Sequence, residues 1–150
     1  IDFHTTERYL DLLKKAFIIF ELSSLSRNLR NEIKKSKKFY FFDNGIRNAV
    51  IRQFQSIEYR NDVGALWENY LVSERQKRNQ NHSFNCNIYF WRTHAQQEID
   101  YIEEYNAKIE AFEFKYNPKK KPKFPASFTK AYDVKDTTTI NRNNHLDFVL

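Results

Sequence analysis

The chain has 150 residues, 41% of them hydrophobic and 29% charged, with only 2 Gly and 3 Pro. That length fits one domain, or one domain with a small appendage, and the mix excludes a disordered or low-complexity chain. A formal net charge of +6 and a pI near 9.3 favour a polyanionic partner such as nucleic acid, while the single cysteine, Cys86, excludes a disulfide framework and a thiolate zinc site.

In chain order, Thr5-Thr6 can cap a helix that carries Tyr9, Leu10, Leu12, Leu13 and Ala16 at helical spacing. Residues 17–22 are a continuous apolar run that reads as a strand. A basic loop with Arg27, Arg30, Lys34 and Lys35 leads to a second strand over residues 38–42, which Asp43-Asn44-Gly45 ends with turn chemistry. Helix, strand, basic loop and strand make the back half of a winged helix. Residues 1–55 therefore read as a partial winged-helix-like segment, closed by a short helix over residues 46–54.

Residues 56–150 read as a second unit. Asp62 is the predicted N-cap of a helix running to Gln80, with Val63, Leu66, Trp67, Tyr70 and Leu71 on one apolar stripe. Three strand-like runs follow, over residues 87–92, 98–103 and 109–116, and their short polar connections predict an antiparallel meander. After the lysine-rich loop between Pro118 and Pro125 come a helix over residues 126–132, a strand over 137–140 and a further strand at 148–150. The expected order is αβββαβ around a central mixed sheet. No apolar run is long enough to span a bilayer and no signal peptide is evident, so a cytoplasmic protein without a membrane partner is expected. A start at Ile1 and the absence of Met suggest a piece of a longer polypeptide, and this piece has no P-loop sequence.

Strand alternation places Glu98 and Asp100 on one face, and Glu113 and Lys115 on one face of the next strand. If those strands pair, Asp100, Glu113 and Lys115 converge. Two carboxylates with the Phe114 carbonyl and waters suit Mg²⁺ or Mn²⁺, and a lysine beside them can orient a water or stabilise charge on a phosphate. Phosphodiester hydrolysis needs these groups.

Ile99-Asp100-Tyr101, followed by Glu113-Phe114-Lys115, resembles the signature of the PD-(D/E)xK nuclease superfamily, whose core also has the order αβββαβ. The resemblance implies a restriction-endonuclease-like α/β fold with Asp100 and Glu113 as metal ligands and Lys115 assisting catalysis. Gly64-Ala65-Leu66-Trp67-Glu68 resembles the helix of the resolvase-like members, where the glutamate reaches the active site; that role falls to Glu68. Ile99 stands where the signature has proline, and no glutamine or glutamate marks the second helix near Phe128–Tyr132. Along the chain, Lys38-Phe39-Tyr40-Phe41-Phe42-Asp43-Asn44-Gly45, Gly64–Asn69, Val72-Ser73-Glu74, Tyr89–Arg92, Glu98-Ile99-Asp100 and Glu113-Phe114-Lys115 are similar to one narrower family. It is the domain of unknown function that follows the AAA-type ATPase module in many bacterial and archaeal proteins. That resemblance implies an ATPase module as the domain's partner.

Around this constellation, Lys119, Lys120, Lys121 and Lys123 can track a phosphate backbone or stand as a solvated loop. Glu74 falls within the apolar stripe, so it must line the cleft or be paired, with Arg92 as its candidate partner. The expected function is Mg²⁺-dependent hydrolysis of nucleic acid. The alternative is a non-catalytic DNA- or protein-binding module that directs the ATPase.

Overall fold

The computed structural model describes residues 2–150 other than 28, 29, 31, 34 and 35, so Lys34 and Lys35 of the basic loop lie outside the described residues. The fold is mixed α/β, with five α-helices and one six-stranded mixed sheet among the described residues.

Helix α1 (Phe3–Lys15) is capped by Asp2, whose carboxylate accepts the Thr5 N–H at 2.8 Å, rather than by Thr5-Thr6. A side-chain acceptor three residues ahead of an orphan N–H is what a helix start needs. Phe17, expected in a strand, instead adopts φ 55° just past the helix, and its N–H and that of Ile18 bond back to the Lys14 and Leu13 carbonyls. This is a left-handed helix stop, so β1 (Ile19–Ser24) begins later than the apolar run does. β2 (Lys37–Phe41) pairs antiparallel with β1. Asp43 supplies the expected turn chemistry after β2, its carboxylate accepting the Gly45 N–H two residues on, and by also accepting the Ile46 N–H it caps α2 (Asn44–Val50).

The 19-residue helix α3 (Val63–Asn81) follows a 3₁₀ turn over Ile57–Tyr59. Asp62 sits at its start, yet its carboxylate binds Arg60 and Arg47 instead of the helix N–H groups. Strands β3 (Asn87–Arg92), β4 (Glu98–Tyr105) and β5 (Lys108–Phe114) form the expected antiparallel meander. The β4–β5 hairpin turns through Asn106 and Ala107, at φ 50° and 60°, the two-residue turn that suits a right-handed strand twist. Helix α4 (Ala126–Ala131) then leads to β6 (Val134–Ile140), parallel to β5. Residues 148–150 do not add a strand: Phe148 and Val149 are buried on α5 (His145–Val149). So short an apolar run carries no period that separates strand from helix.

The strand order is β2-β1-β3-β4-β5-β6, with β1 parallel to β3, so the strands of residues 1–55 extend the sheet built by the later ones. One face packs Leu71 and Val72 of α3 and Phe148 and Val149 of α5 on Phe90, Tyr101, Phe112 and Phe114. The other packs Phe128 and Tyr132 on Trp91, Ile99, Ile102 and Ala111. Each large side chain buried this way contributes about 1.5–3 kcal/mol. The expected stripe of α3 is only partly used: Val63, Leu66, Trp67 and Tyr70 line a shallow apolar groove with Ile57, Tyr116 and His145. The fully buried face of the helix instead carries Asn69, Ser73, Arg75 and Asn79 beside Leu71 and Val72.

Candidate functional site

Register decides where Asp100 points. Tyr89 pairs with Ile102 and Trp91 with Ile99, so two residues of β4, Asp100 and Tyr101, stand opposite the single Phe90. This bulge breaks the alternation: Ile99 and Ile102 enter one core and Tyr101 the other. Bulges re-aim side chains beside functional sites. Here the β4–β5 pairing runs from Tyr105 to Tyr101, opposite Phe112, and the Phe114 N–H beyond it is taken by the Asp100 carboxylate at 2.8 Å.

On β5, Glu113 lies two residues from Ala111 and shares its face, and Lys115 follows in the same sense. Lys115 Nζ donates to Glu113 Oε2 at 2.9 Å and lies 3.6 Å from Asp100 Oδ2. The three residues read from the sequence therefore meet, and with Glu98 they line an open cleft of about 700 Å³ closed on one side by Lys123, Phe124 and Pro125.

Glu68 also reaches this cluster, from the second turn of α3, but its Oε1 is already engaged. Tyr40 donates to it at 2.6 Å and Lys38 at 3.0 Å. Lys38 also contacts Glu98 Oε1 at 2.6 Å. Lys38, Tyr40 and Glu98 were not singled out as site residues by the sequence. For Lys38 and Tyr40 the signal existed only as their presence in the motifs of the family resemblance, since β2 is three places away from β4 in the sheet, whereas strand alternation had set Glu98 on the face of Asp100 without a role. Arg92 touches the cluster at its rim, 3.8 Å from Glu98, and does not pair with Glu74. Glu74 is half-exposed, pairs with Lys77 one turn away, and does not line the cleft. Lys119, Lys120 and Lys121 stand exposed in the loop beyond Lys115; of that run, Lys123 alone lines the cleft.

Four carboxylates thus meet two ammonium groups, and the titration of Asp100 and Glu113 reflects the imbalance. Burial pushes the Glu113 carboxyl up to about 7, helped by the Asp100 charge and opposed by Lys115. Burial, then the Glu68 charge, raises Asp100 despite the Phe114 N–H and Lys115. Lys115 and Lys38 are held above the ordinary lysine range by their carboxylates, against the opposing effect of burial. Burial and the adjacent Glu68 raise the Tyr40 hydroxyl, keeping it a donor. Excess negative charge among hard oxygen donors at the mouth of a cleft is an environment a divalent cation can neutralise. The donors fit such an ion, although among the described residues no group of three or more His, Cys, Asp or Glu is gathered as a metal cage.

A family described as a domain of unknown function, DUF4143, matches residues 63–147, and another so described, DUF8612, matches residues 1–57. Two curated relatives, uncharacterized proteins of Mycobacterium bovis and Mycobacterium tuberculosis, are each 26% identical over 113 residues, 74% of this chain and 25% of the relative. The chain thus spans a quarter of the length of the curated relatives it matches. No solved structure matches it. Among the described residues, no helix is long and apolar enough to cross a membrane.

Proposed function

The chain belongs to the DUF4143 family, and we propose that its carboxylate cleft is a divalent-cation site of PD-(D/E)xK nuclease type acting on nucleic acid. The observation that carries this reading is the meeting of Asp100, Glu113 and Lys115 in one cleft with uncompensated negative charge. Asp100 and Glu113 would hold Mg²⁺ or Mn²⁺. The Phe114 carbonyl would join them, because a strand residue turns its N–H and C=O to the same neighbour and the Phe114 N–H already faces Asp100. Bound there, the ion supplies charge stabilisation to a phosphate.

Lys115 presents a cationic donor between both carboxylates and is placed to hold a water or a phosphoryl oxygen next to them. The exposed Lys119, Lys120 and Lys121, with Lys123 at the rim, would carry the phosphate backbone across the cleft mouth. Two features support the finer fold reading. The order of α3 through β6 is that of a restriction-endonuclease-like core, and the antiparallel β1–β2 pair after α1 fits a winged-helix remnant in residues 1–55. We place the ATPase module implied by the family resemblance in the further length that the mycobacterial relatives possess.

Cleavage assays on single-stranded, duplex and branched DNA and on RNA, with and without Mg²⁺ or Mn²⁺, test the reading. Metal-dependent cleavage lost in both Asp100→Ala and Lys115→Ala is expected. Cleavage that survives the double substitution would contradict it.

One observation favours the alternative of a non-catalytic module. Lys115 is satisfied by both carboxylates as an internal ion pair, which closes the cluster without any substrate. That reading predicts nucleic-acid binding that weakens with salt but ignores metal and Lys115.

A further inference from the structure

The carboxylate cluster is divided in two by its lysines, and the halves are built differently. Lys115 serves Asp100 and Glu113 from beside them on the same strand end, with its side chain 30% exposed at the cleft. Lys38 comes from β2 and bridges Glu68 and Glu98 at 3.0 and 2.6 Å. Its ammonium also sits 5.2 Å over the Phe90 ring, a contact that favours a cation in that place. Tyr40 donates to the same Glu68 oxygen that Lys38 uses, and Arg92 stands 3.8 Å from the other oxygen of Glu98. The Glu68–Glu98 half is therefore already occupied by positive charge and hydrogen-bond donors, whereas the Asp100–Glu113 half has Lys115 alone and a backbone N–H.

We infer that Lys38 fills the second cation position of the cluster, so that the cleft takes a single divalent ion at Asp100 and Glu113, with Glu68 anchoring Lys38 rather than ligating metal. The inference rests on the divalent-cation reading above and fixes what that reading leaves open, the number of ions. A second divalent ion on Glu68 and Glu98 would have to enter a space held by an ammonium, and like charges at such separations repel strongly in a partly buried site. With Arg92 and Lys38 both on the Glu68–Glu98 half, two carboxylates there meet two cationic groups, whereas Lys115 leaves a negative charge on the Asp100–Glu113 half for an ion to offset. Lys38 and Tyr40 are then positioning residues, which brings the N-terminal segment into the site.

The test is Mn²⁺ titration of the 150-residue chain, reading stoichiometry by calorimetry and ion–ion coupling by electron paramagnetic resonance. Wild type and Lys38→Arg are expected to bind one ion without coupling. Lys38→Met, checked by circular dichroism, is expected to bind two coupled ions. Glu68→Gln is expected to retain the single ion. Two ions in wild type, one ion in folded Lys38→Met, or loss of the ion in Glu68→Gln would each overturn the inference, and all leave the metal reading standing. If Lys38→Met does not fold, the wild-type count and Glu68→Gln still decide. No ion in wild type overturns the metal reading, and this inference with it.

Discussion

Helix α3 sets two charged clusters against the same sheet, and the contrast between them separates a staple from a site. Near its C-terminal end, Arg75 grips Glu103 through two hydrogen bonds of 2.8 and 2.7 Å and donates a third to the Phe148 carbonyl. Asn79 and Tyr101 complete the shell around Glu103, which is 1% exposed. One cation meets one carboxylate, and the pair ties α3, β4 and α5 together. Near its N-terminal end, Glu68 is joined through Lys38 to three further carboxylates that line the open cleft, and the four share two ammonium groups. Buried charge alone does not mark function; unbalanced buried charge at a cleft does.

Removing one charge from each cluster gives the largest test of that contrast. Glu103→Gln leaves Arg75 buried without its counter-charge and is expected to cost about 3–5 kcal/mol in urea unfolding. Asp100→Asn keeps an acceptor for the Phe114 N–H but relieves repulsion, so without divalent cations at neutral pH it is expected to stabilise by about 1 kcal/mol. Equal destabilisation by both substitutions would erase the distinction.

Titration gives the next effect. The folded Glu113 carboxyl is raised from 4.5 to about 7, so the folded chain binds more protons than the unfolded one between those values. Its contribution is fully present below pH 4.5 and is lost as pH rises through about 7. Unfolding free energy in chelator should therefore fall by about 3 kcal/mol across that window. The fall should shrink in Glu113→Gln, where the raised Asp100 carboxyl remains, and persist in full in variants of the Arg75 cluster.

A change remote from both clusters sets the baseline. Ala107 holds φ 60° in the β4–β5 turn, which strains a residue with a Cβ. Ala107→Gly is expected to stabilise by about 1 kcal/mol, independently of pH and metal.

The two clusters also differ in how far the sequence revealed them. Asp100, Glu113 and Lys115 were legible because residues two apart on a strand share a face and because their types suit one chemistry. The bulge that aims Asp100 was not, since it belongs to the register between β3 and β4 and not to either strand. Lys38 and Tyr40 sit far from Asp100 in sequence, and in isolation a strand of aromatics reads as core. The staple was hidden for another reason: Arg75, Asn79 and Ser73 look like a solvated face, and the apolar stripe pointed to the opposite side of α3, which only half-buries Trp67 and Tyr70. Glu74 misled in the same way, because the stripe it falls in faces a groove. The meander itself was plain from its short polar connections, whereas the Phe17 boundary was lost in a continuous apolar run.

The most direct test is anomalous scattering from a crystal of the chain soaked in Mn²⁺. The account predicts one peak about 2.1 Å from carboxylate oxygens of both Asp100 and Glu113, with Lys38 still on Glu68 and Glu98. A peak elsewhere on the chain, or none at saturating Mn²⁺, would contradict it.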